Sequence, residues 1–199
     1  MTWRPAHAAA VLLAAASAIT CSNLDNVSVP ADGQTTIPGS VLGGLLGPVG
    51  FLGFSDIDVS EAQEFRNQGY SKDQIDSVRL EVFTLAITAP QGGNFDFLSE
   101  VSFFAESEGL PRVEIARINP VPRGASALEL EILDVELRDY AVADSMTITT
   151  TATGVTPDED TTISAHLVLD VDVDVSGALG CRIGSAQLTR SLARTAQAR

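Results

Sequence analysis

The stretch TISAHLVLDVDVDV, residues 162–175, decides the fold. Apolar side chains occupy every odd position from Ile163 to Val175, whereas the even positions are polar apart from Val168. Successive side chains of a β-strand point to opposite faces of the sheet, so this strand has one apolar and one polar face. One buried face and one wet face are typical of an antiparallel sheet.

Shorter segments elsewhere in the chain repeat this alternation. They are residues 146–152, 128–132, 113–117, 101–106 and 78–88. The last of these is apolar on both faces near its middle, which predicts a central place in its sheet. Gly- and Pro-rich turns separate the segments, and no helix lies between successive strands. The sequence therefore predicts a mostly β fold, an antiparallel β-sandwich of about seven or eight strands.

One short helix is expected between the N-terminal region and the sandwich. Ser60 followed by Gln63 matches a capping box, and Gly69 can end the helix in a left-handed conformation. Ser71 with Gln74 matches the start of one further turn.

The chain has 199 residues, with 26 acidic residues against 12 basic ones and a formal net charge of −14. Nucleic-acid binding depends on clustered Lys and Arg, so this composition argues against a nucleic-acid partner. Two cysteines are too few for a disulfide-dense scaffold or a four-cysteine zinc site. The length suffices for a single domain with a buried core.

Residues 1–20 have the pattern of a secretory signal peptide. Arg4 precedes an apolar run over residues 8–18, which is too short to cross a bilayer as a helix. The small residues at positions 16–18 suit cleavage by signal peptidase. We therefore expect export, either to the cell envelope (periplasm or outer membrane) or to the medium.

The two cysteines, Cys21 and Cys181, allow two arrangements. Residues 18–21 resemble a bacterial lipobox, in which the cysteine is lipidated and becomes the first residue, although Ala18 and Thr20 depart from the usual pattern. Alternatively, Cys21 and Cys181 form a disulfide in an oxidising compartment. The sequence leaves both arrangements open.

The chain divides into four predicted regions. These are the signal peptide (1–20), an N-terminal strand with a Gly-rich apolar connection (21–55), the sandwich body (56–181) and a basic flexible tail (182–199). The connection is richest in Gly, Val and Leu over residues 39–54. It is either a loop that touches lipid or a partner, or a connection whose large side chains fold back onto the core.

No catalytic signature is present. The sequence has no Gly-x-Ser-x-Gly, His-Glu-x-x-His or Walker-type phosphate loop. Without residues 1–20, His166 is the single histidine, and it shares a strand face with Ser164 and Asp170. Residues two apart on a strand are about 7 Å apart, which is poor geometry for a Ser–His–Asp triad. We therefore expect His166 to be solvent-exposed, and we predict no catalytic residue, no cofactor, no metal ligand and no enzymatic activity.

Three groups of acidic residues are the remaining lead. They are Asp170, Asp172 and Asp174 on the strand face, Asp158, Glu159 and Asp160 in a turn, and Asp56, Asp58 and Glu61. Carboxylate oxygens suit Ca²⁺, so a calcium-stabilised adhesion module is one alternative function and a carboxylate-pair hydrolase is another. A straight strand spreads its carboxylates, however, and we expect a solvated face that also discourages pairing between sheet edges.

Four segments carry a resemblance to other proteins: IDSVRL (75–80), ITAPQGGNFDFL (87–98), GLPR (109–112) and Ile115-Ala116. In these segments, over roughly residues 56–175, the chain resembles a set of uncharacterised exported bacterial lipoproteins. The resemblance implies an envelope-exposed β-sandwich and assigns no activity. The chain is therefore expected to be a binding or structural module with an unknown envelope partner and a possible lipid anchor through Cys21.

Overall fold

The structure is a computed structural model that describes residues 26–174, apart from positions 43, 47, 48, 52, 53 and 56. The predictions for the signal peptide (1–20), Cys21, Asp56, Cys181 and the tail (182–199) lie outside the described residues. No helix within the described ranges is long and apolar enough to span a bilayer.

The described residues form eight strands and two short α-helices. In chain order these are β1 Asn26–Ile37, α1 Gln63–Gln68, β2 Ile75–Ala89, β3 Leu98–Glu106, β4 Val113–Ile118, β5 Ala127–Glu129, β6 Glu131–Ile132, α2 Arg138–Val142, β7 Thr147–Gly154 and β8 Thr161–Val173. The strands make two antiparallel sheets, in the orders β1-β8-β2-β5 and β6-β4-β3-β7. The predicted antiparallel sandwich is confirmed.

The stretch that predicted the fold forms β8, and this strand lies inside its sheet. It pairs with β1 on one side, from Asn26 opposite Asp172 to Ile37 opposite Thr161, and with β2 on the other. Its odd-numbered positions are buried and its even ones are partly or fully exposed, as the alternation predicts. The expectation that its acids blunt a sheet edge is wrong, because β8 is hydrogen-bonded on both sides.

The central place predicted for residues 78–88 is confirmed, since β2 lies between β8 and β5. The single strand expected over residues 128–132 is instead divided between the two sheets. β5 pairs with β2 and β6 pairs with β4. The change of sheet occurs at Leu130, which is buried and whose backbone N–H donates to the carbonyl oxygen of Phe83 at 3.0 Å.

A cluster of phenylalanine rings joins the two sheets. Phe83 of β2 contacts Phe103 of β3, with ring centroids 4.2 Å apart, and Phe54 lies against Phe83 at 5.8 Å. Phe51 contacts both Phe54 and Phe103. Phe51 and Phe54 belong to the Gly-rich connection and are buried, so this part of the connection folds back onto the core.

The helical region begins differently from the prediction. Asp58, not Ser60, acts as the first cap: its carboxylate accepts the backbone N–H of Ser60 at 2.9 Å and starts a 3-10 turn over Val59–Glu61. The helix α1 begins after Ala62, so the capping box expected at Ser60 is absent from its start. Asp58 stands two residues before Ser60, and both side chains can accept the unpaired backbone N–H groups at the start of a helical turn. Here Asp58 accepts one of them.

The other helix signals are confirmed. Gly69 ends α1 with φ of 72°, the left-handed conformation that suits glycine. Ser71 and Gln74 form the capping box of the 3-10 turn Lys72–Gln74. The helix α2 is not predicted, because five residues are too few to show a helical period.

Replacing Gly33 by Ala tests the contact between β1 and the phenylalanine cluster. A Cβ atom at position 33 would lie 2.9 Å from the ring of Phe54, so the ring or the strand must move. We expect the free energy of unfolding to fall by about 1–3 kcal/mol, the usual cost of overpacking a core. Urea unfolding measures this change. Gly50→Ala is the control, since a Cβ there meets no heavy atom within 4 Å; equal midpoints for the two variants would contradict the prediction.

Asp58 also links the first turn to the region beyond α2. Its carboxylate is 3.1 Å from Nζ of Lys72, which donates to the carbonyl oxygen of Ala143 at 2.8 Å. Partial burial raises the pKa of Asp58, but the hydrogen bonds from Ser60 and Lys72 outweigh burial and hold the pKa below its ordinary value of 3.8.

This lowered pKa makes stability depend on pH. The ionised Asp58 stabilises the fold above pH 3.8, and its contribution is lost as the pH falls below that value through the folded-state pKa. We expect Asp58→Ala to lose about 1 kcal/mol at neutral pH, the usual cost of removing a cap. Urea unfolding measured at a series of pH values should show that the difference in unfolding free energy between Asp58→Ala and the unsubstituted protein becomes smaller below pH 3.8. The exposed Asp76→Ala is the control, and a gap independent of pH would refute the assignment.

Candidate functional site

His166 lies on the exposed outer face of the β1-β8-β2-β5 sheet, as predicted. Its Nδ1 is 2.8 Å from Oδ1 of Asp32, the residue opposite it on β1. Ser164 donates instead to the carbonyl oxygen of Ala86 at 3.3 Å. The structure therefore pairs His166 with an acid on the neighbouring strand and does not assemble Ser164, His166 and Asp170 into a triad.

The predicted acidic groups form no metal-binding cluster among the described residues. Asp170 lies in register between Ser28 on β1 and Arg79 on β2, and Asp58 and Glu61 bind different partners, Lys72 and Arg66. Among residues 26–174 that the structure describes, no group of three or more His, Cys, Asp or Glu side chains could hold a metal ion. The calcium-stabilised alternative stays a prediction.

Two glutamates, Glu106 and Glu108, line one open cavity of about 360 Å³ at an end of β3. The carboxylate of Glu106 is already engaged: it accepts hydrogen bonds from Nε of Arg112 at 2.7 Å and from the hydroxyl of Thr149 at 2.6 Å. The guanidinium of Arg112 also stacks on Phe104, 3.4 Å from the ring centroid. Glu106 is thus part of a structural contact with Arg112 and Thr149, and the hydrolase alternative stays a prediction.

Both long sheet edges are protected against the addition of another strand. On β1, Pro30 offers no N–H to a neighbouring strand. Described residues of the Gly-rich connection pair antiparallel with the chain at both ends of β7. Ile57 and Met146 exchange backbone hydrogen bonds of 2.7 and 3.0 Å, and Leu46 donates to Gly154 at 3.2 Å. Strand addition is therefore a weak candidate for the function.

One end of the sandwich presents a cluster of exposed aliphatic side chains, which we call the apolar tip. It consists of Val41, Leu42 and Leu45, which are 87%, 94% and 89% exposed, and Val155, which is 54% exposed. Leu45 and Val155 form an antiparallel bridge, and Thr156 donates to the carbonyl oxygen of Gly44 at 3.0 Å. These four are the large hydrophobic side chains that the described part of the chain leaves exposed.

An acidic turn borders the apolar tip. We call its three exposed acids, Asp158, Glu159 and Asp160, the acidic rim. Oδ1 of Asp160 accepts the N–H of Gly39 at 2.8 Å, and the carbonyl oxygen of Pro157 accepts the N–H of Ser40 at 2.8 Å. The rim is thus held to the residues directly before the tip by one hydrogen bond to a side chain and one between backbone groups.

A cavity of about 370 Å³ lies beside the tip. Its lining mixes hydroxyl and aliphatic groups from β1, the connection and the acidic turn, among them Thr36, Ile37, Pro38, Leu46, Val49 and Thr156. Leu46 and Val49 are partly buried against the core, whereas Leu45 next to them is exposed. Leu46 and Val49 therefore pack inward, as one of the two alternatives expects, whereas Leu45 faces solvent; contact of the connection with lipid or a partner stays a prediction.

The apolar tip lies far from the ends of the described chain. β1 carries the backbone over 12 residues from Asn26 to Ile37, a distance of about 36 Å at about 3.3 Å per residue. Asn26 is the register partner of Asp172, so the described chain enters and leaves at the same end of the sandwich. The tip follows directly after the other end of β1.

Comparisons with known proteins add no assignment. Neither a scan against protein-family models nor a search of curated proteins found a match to this chain. The functional argument therefore depends on the geometry of the described residues.

Replacing Gly39 by Ala tests how firmly the tip is held to the acidic rim. A Cβ atom at position 39 would lie 2.4 Å from the backbone carbon of Glu159, closer than any real contact, so one of the two segments must move. We expect faster amide hydrogen exchange over residues 39–46 and 155–160, with the sandwich core unchanged. At Gly44 a Cβ meets only the hydroxyl of Thr156 at 3.4 Å, so Gly44→Ala is the matched control. Equal exchange in both variants would count against the contact.

Proposed function

We propose that this chain is an exported module of the cell envelope that binds a partner through its apolar tip and has no catalytic activity. The observation that carries the proposal is the cluster of Val41, Leu42 and Leu45 on a well-packed sandwich. Large aliphatic side chains exposed together cost solubility, and such clusters mark interaction sites more often than scattered apolar residues do.

The export part of the proposal is supported by the signal-like residues 1–20 and by the resemblance to exported lipoproteins. A lipid anchor on Cys21 would precede Asn26 by five residues, and Asn26 lies at the end of the sandwich opposite the tip. In that arrangement the tip points away from the anchoring membrane. The alternative disulfide between Cys21 and Cys181 is compatible with a chain that enters and leaves at the same end.

Intact mass of the protein recovered from the envelope fraction distinguishes these arrangements. A diacylglyceryl addition on Cys21 is the outcome expected for a lipoprotein, and the loss of two hydrogens with Cys21 linked to Cys181 is the outcome expected for a disulfide. Recovery of the protein in the cytoplasm with residues 1–20 still attached would refute export.

Photo-crosslinking in the native host tests the binding surface without knowledge of the partner. A benzoylphenylalanine in place of Leu42 should form a discrete adduct with one partner, because this side chain is the most exposed of the tip. The same probe in place of Gln34, an exposed residue on the outer face of β1, is the control. Identical adduct patterns at both positions, or no adduct at position 42, would contradict the proposed function.

A further inference from the structure

We infer that the partner of the apolar tip is a polypeptide surface with an apolar patch flanked by basic residues. This inference rests on the proposed function and adds the chemistry of the partner. It starts from the composition of residues 38–46, PGSVLGGLL, which contain no charged and no aromatic residue. The tip by itself offers only aliphatic contacts.

The charge beside the tip comes from the acidic rim. Asp158, Glu159 and Asp160 are exposed, and no Lys or Arg of the described residues forms an ion pair with them. The backbone hydrogen bonds at Gly39 and Ser40 keep the rim next to the tip. A partner that covers the tip therefore meets three carboxylates at its border, and complementary positive charge there would favour the encounter and its orientation.

A lipid surface fits these features poorly. Anionic leaflets attract basic segments, so the acidic rim would be repelled where the tip enters. Interfacial loops and helices usually carry Trp, Lys or Arg beside their apolar residues, and the tip has none of these.

A second copy of this chain fits poorly as well. Tip-to-tip contact would bring two acidic rims together, and like charges across an interface cost several kcal/mol. Four aliphatic side chains are also far fewer than the roughly 20–30 residues per partner in a stable interface. With a basic partner, attraction to the acidic rim adds to the binding free energy that the small apolar area provides.

Fluorescence anisotropy with a synthetic helical peptide tests the inference on the full exported protein. The probe is a peptide of leucine and lysine, with the leucines on one face and the lysines flanking them. We expect binding that weakens at higher salt, because the rim is exposed. Leu42→Ser with Leu45→Ser should raise the Kd by about tenfold or more, or about 1.4 kcal/mol.

Charge variants separate the rim from the general acidity of the chain. Asp158→Asn with Glu159→Gln should also raise the Kd several-fold. Glu64→Gln with Glu81→Gln removes the same charge from α1 and β2 and should leave the Kd within about twofold of the unsubstituted protein. All four substituted side chains are exposed, so thermal unfolding should be nearly unchanged and serves as the folding check.

Several results would overturn the inference. These are equal weakening by both charge pairs, equally tight binding of a leucine–glutamate peptide, binding to phosphatidylcholine vesicles through the tip, and concentration-dependent self-association abolished by the serine variant. A cross-link from position 42 in the native host would still support the proposed function in each of these cases. Failure of the inferred partner chemistry is therefore distinguishable from failure of the proposed function.

Discussion

Strand β8 is hydrogen-bonded to β1 along one side and to β2 along the other, and the rest of the molecule depends on this pairing. The ladder places the apolar odd positions of β8 over the phenylalanine cluster, where Phe83 and Phe103 connect the two sheets. It also joins β1 to β8, the first and last of the described strands, so residues far apart in sequence pair within one sheet. The outer face of the same sheet carries polar groups such as Asp170 and His166, which lie opposite different residues of the neighbouring strands and do not converge on a site.

The Gly-rich connection pairs with residues at a sheet edge and also contributes side chains to the core between the two sheets. Its bridges to Met146 and Val155, the residues on either side of β7, pair with the chain at both ends of a sheet edge, and its phenylalanines fill the space between the sheets. Small residues allow the close approaches that this path needs, most clearly at Gly39 against Glu159. In the segment between β1 and the first bridge, Val41 and Leu42 remain exposed to solvent.

The sequence predicts β8 well, because this strand keeps a period of two over all of its 13 residues. It also places β2 correctly, although register shifts interrupt the alternation of β2. It fails at Leu130, where alternation continues while the chain changes sheets, since periodicity carries no information about the pairing partner. It also fails at Ser60, because two adjacent capping residues compete and only the local backbone decides between them. The contact of His166 with Asp32 depends on register between strands 134 positions apart. Leu45 and Leu46 are chemically identical, so composition alone cannot tell which one is exposed.

The position of the tip immediately after β1 has a mechanical consequence. An anchor upstream of Asn26 and a partner on the tip would pull on opposite ends of the same strand. The load would run along β1 and shear its whole ladder with β8 at once, so that many hydrogen bonds must break together. A pull between Asn26 and Asp172, which lie opposite each other at one end of the sandwich, would instead peel β1 away one pair at a time. The pairing of β1 with β8 therefore resists a pull from a partner at the tip strongly, and it resists a force that separates Asn26 from Asp172 only weakly.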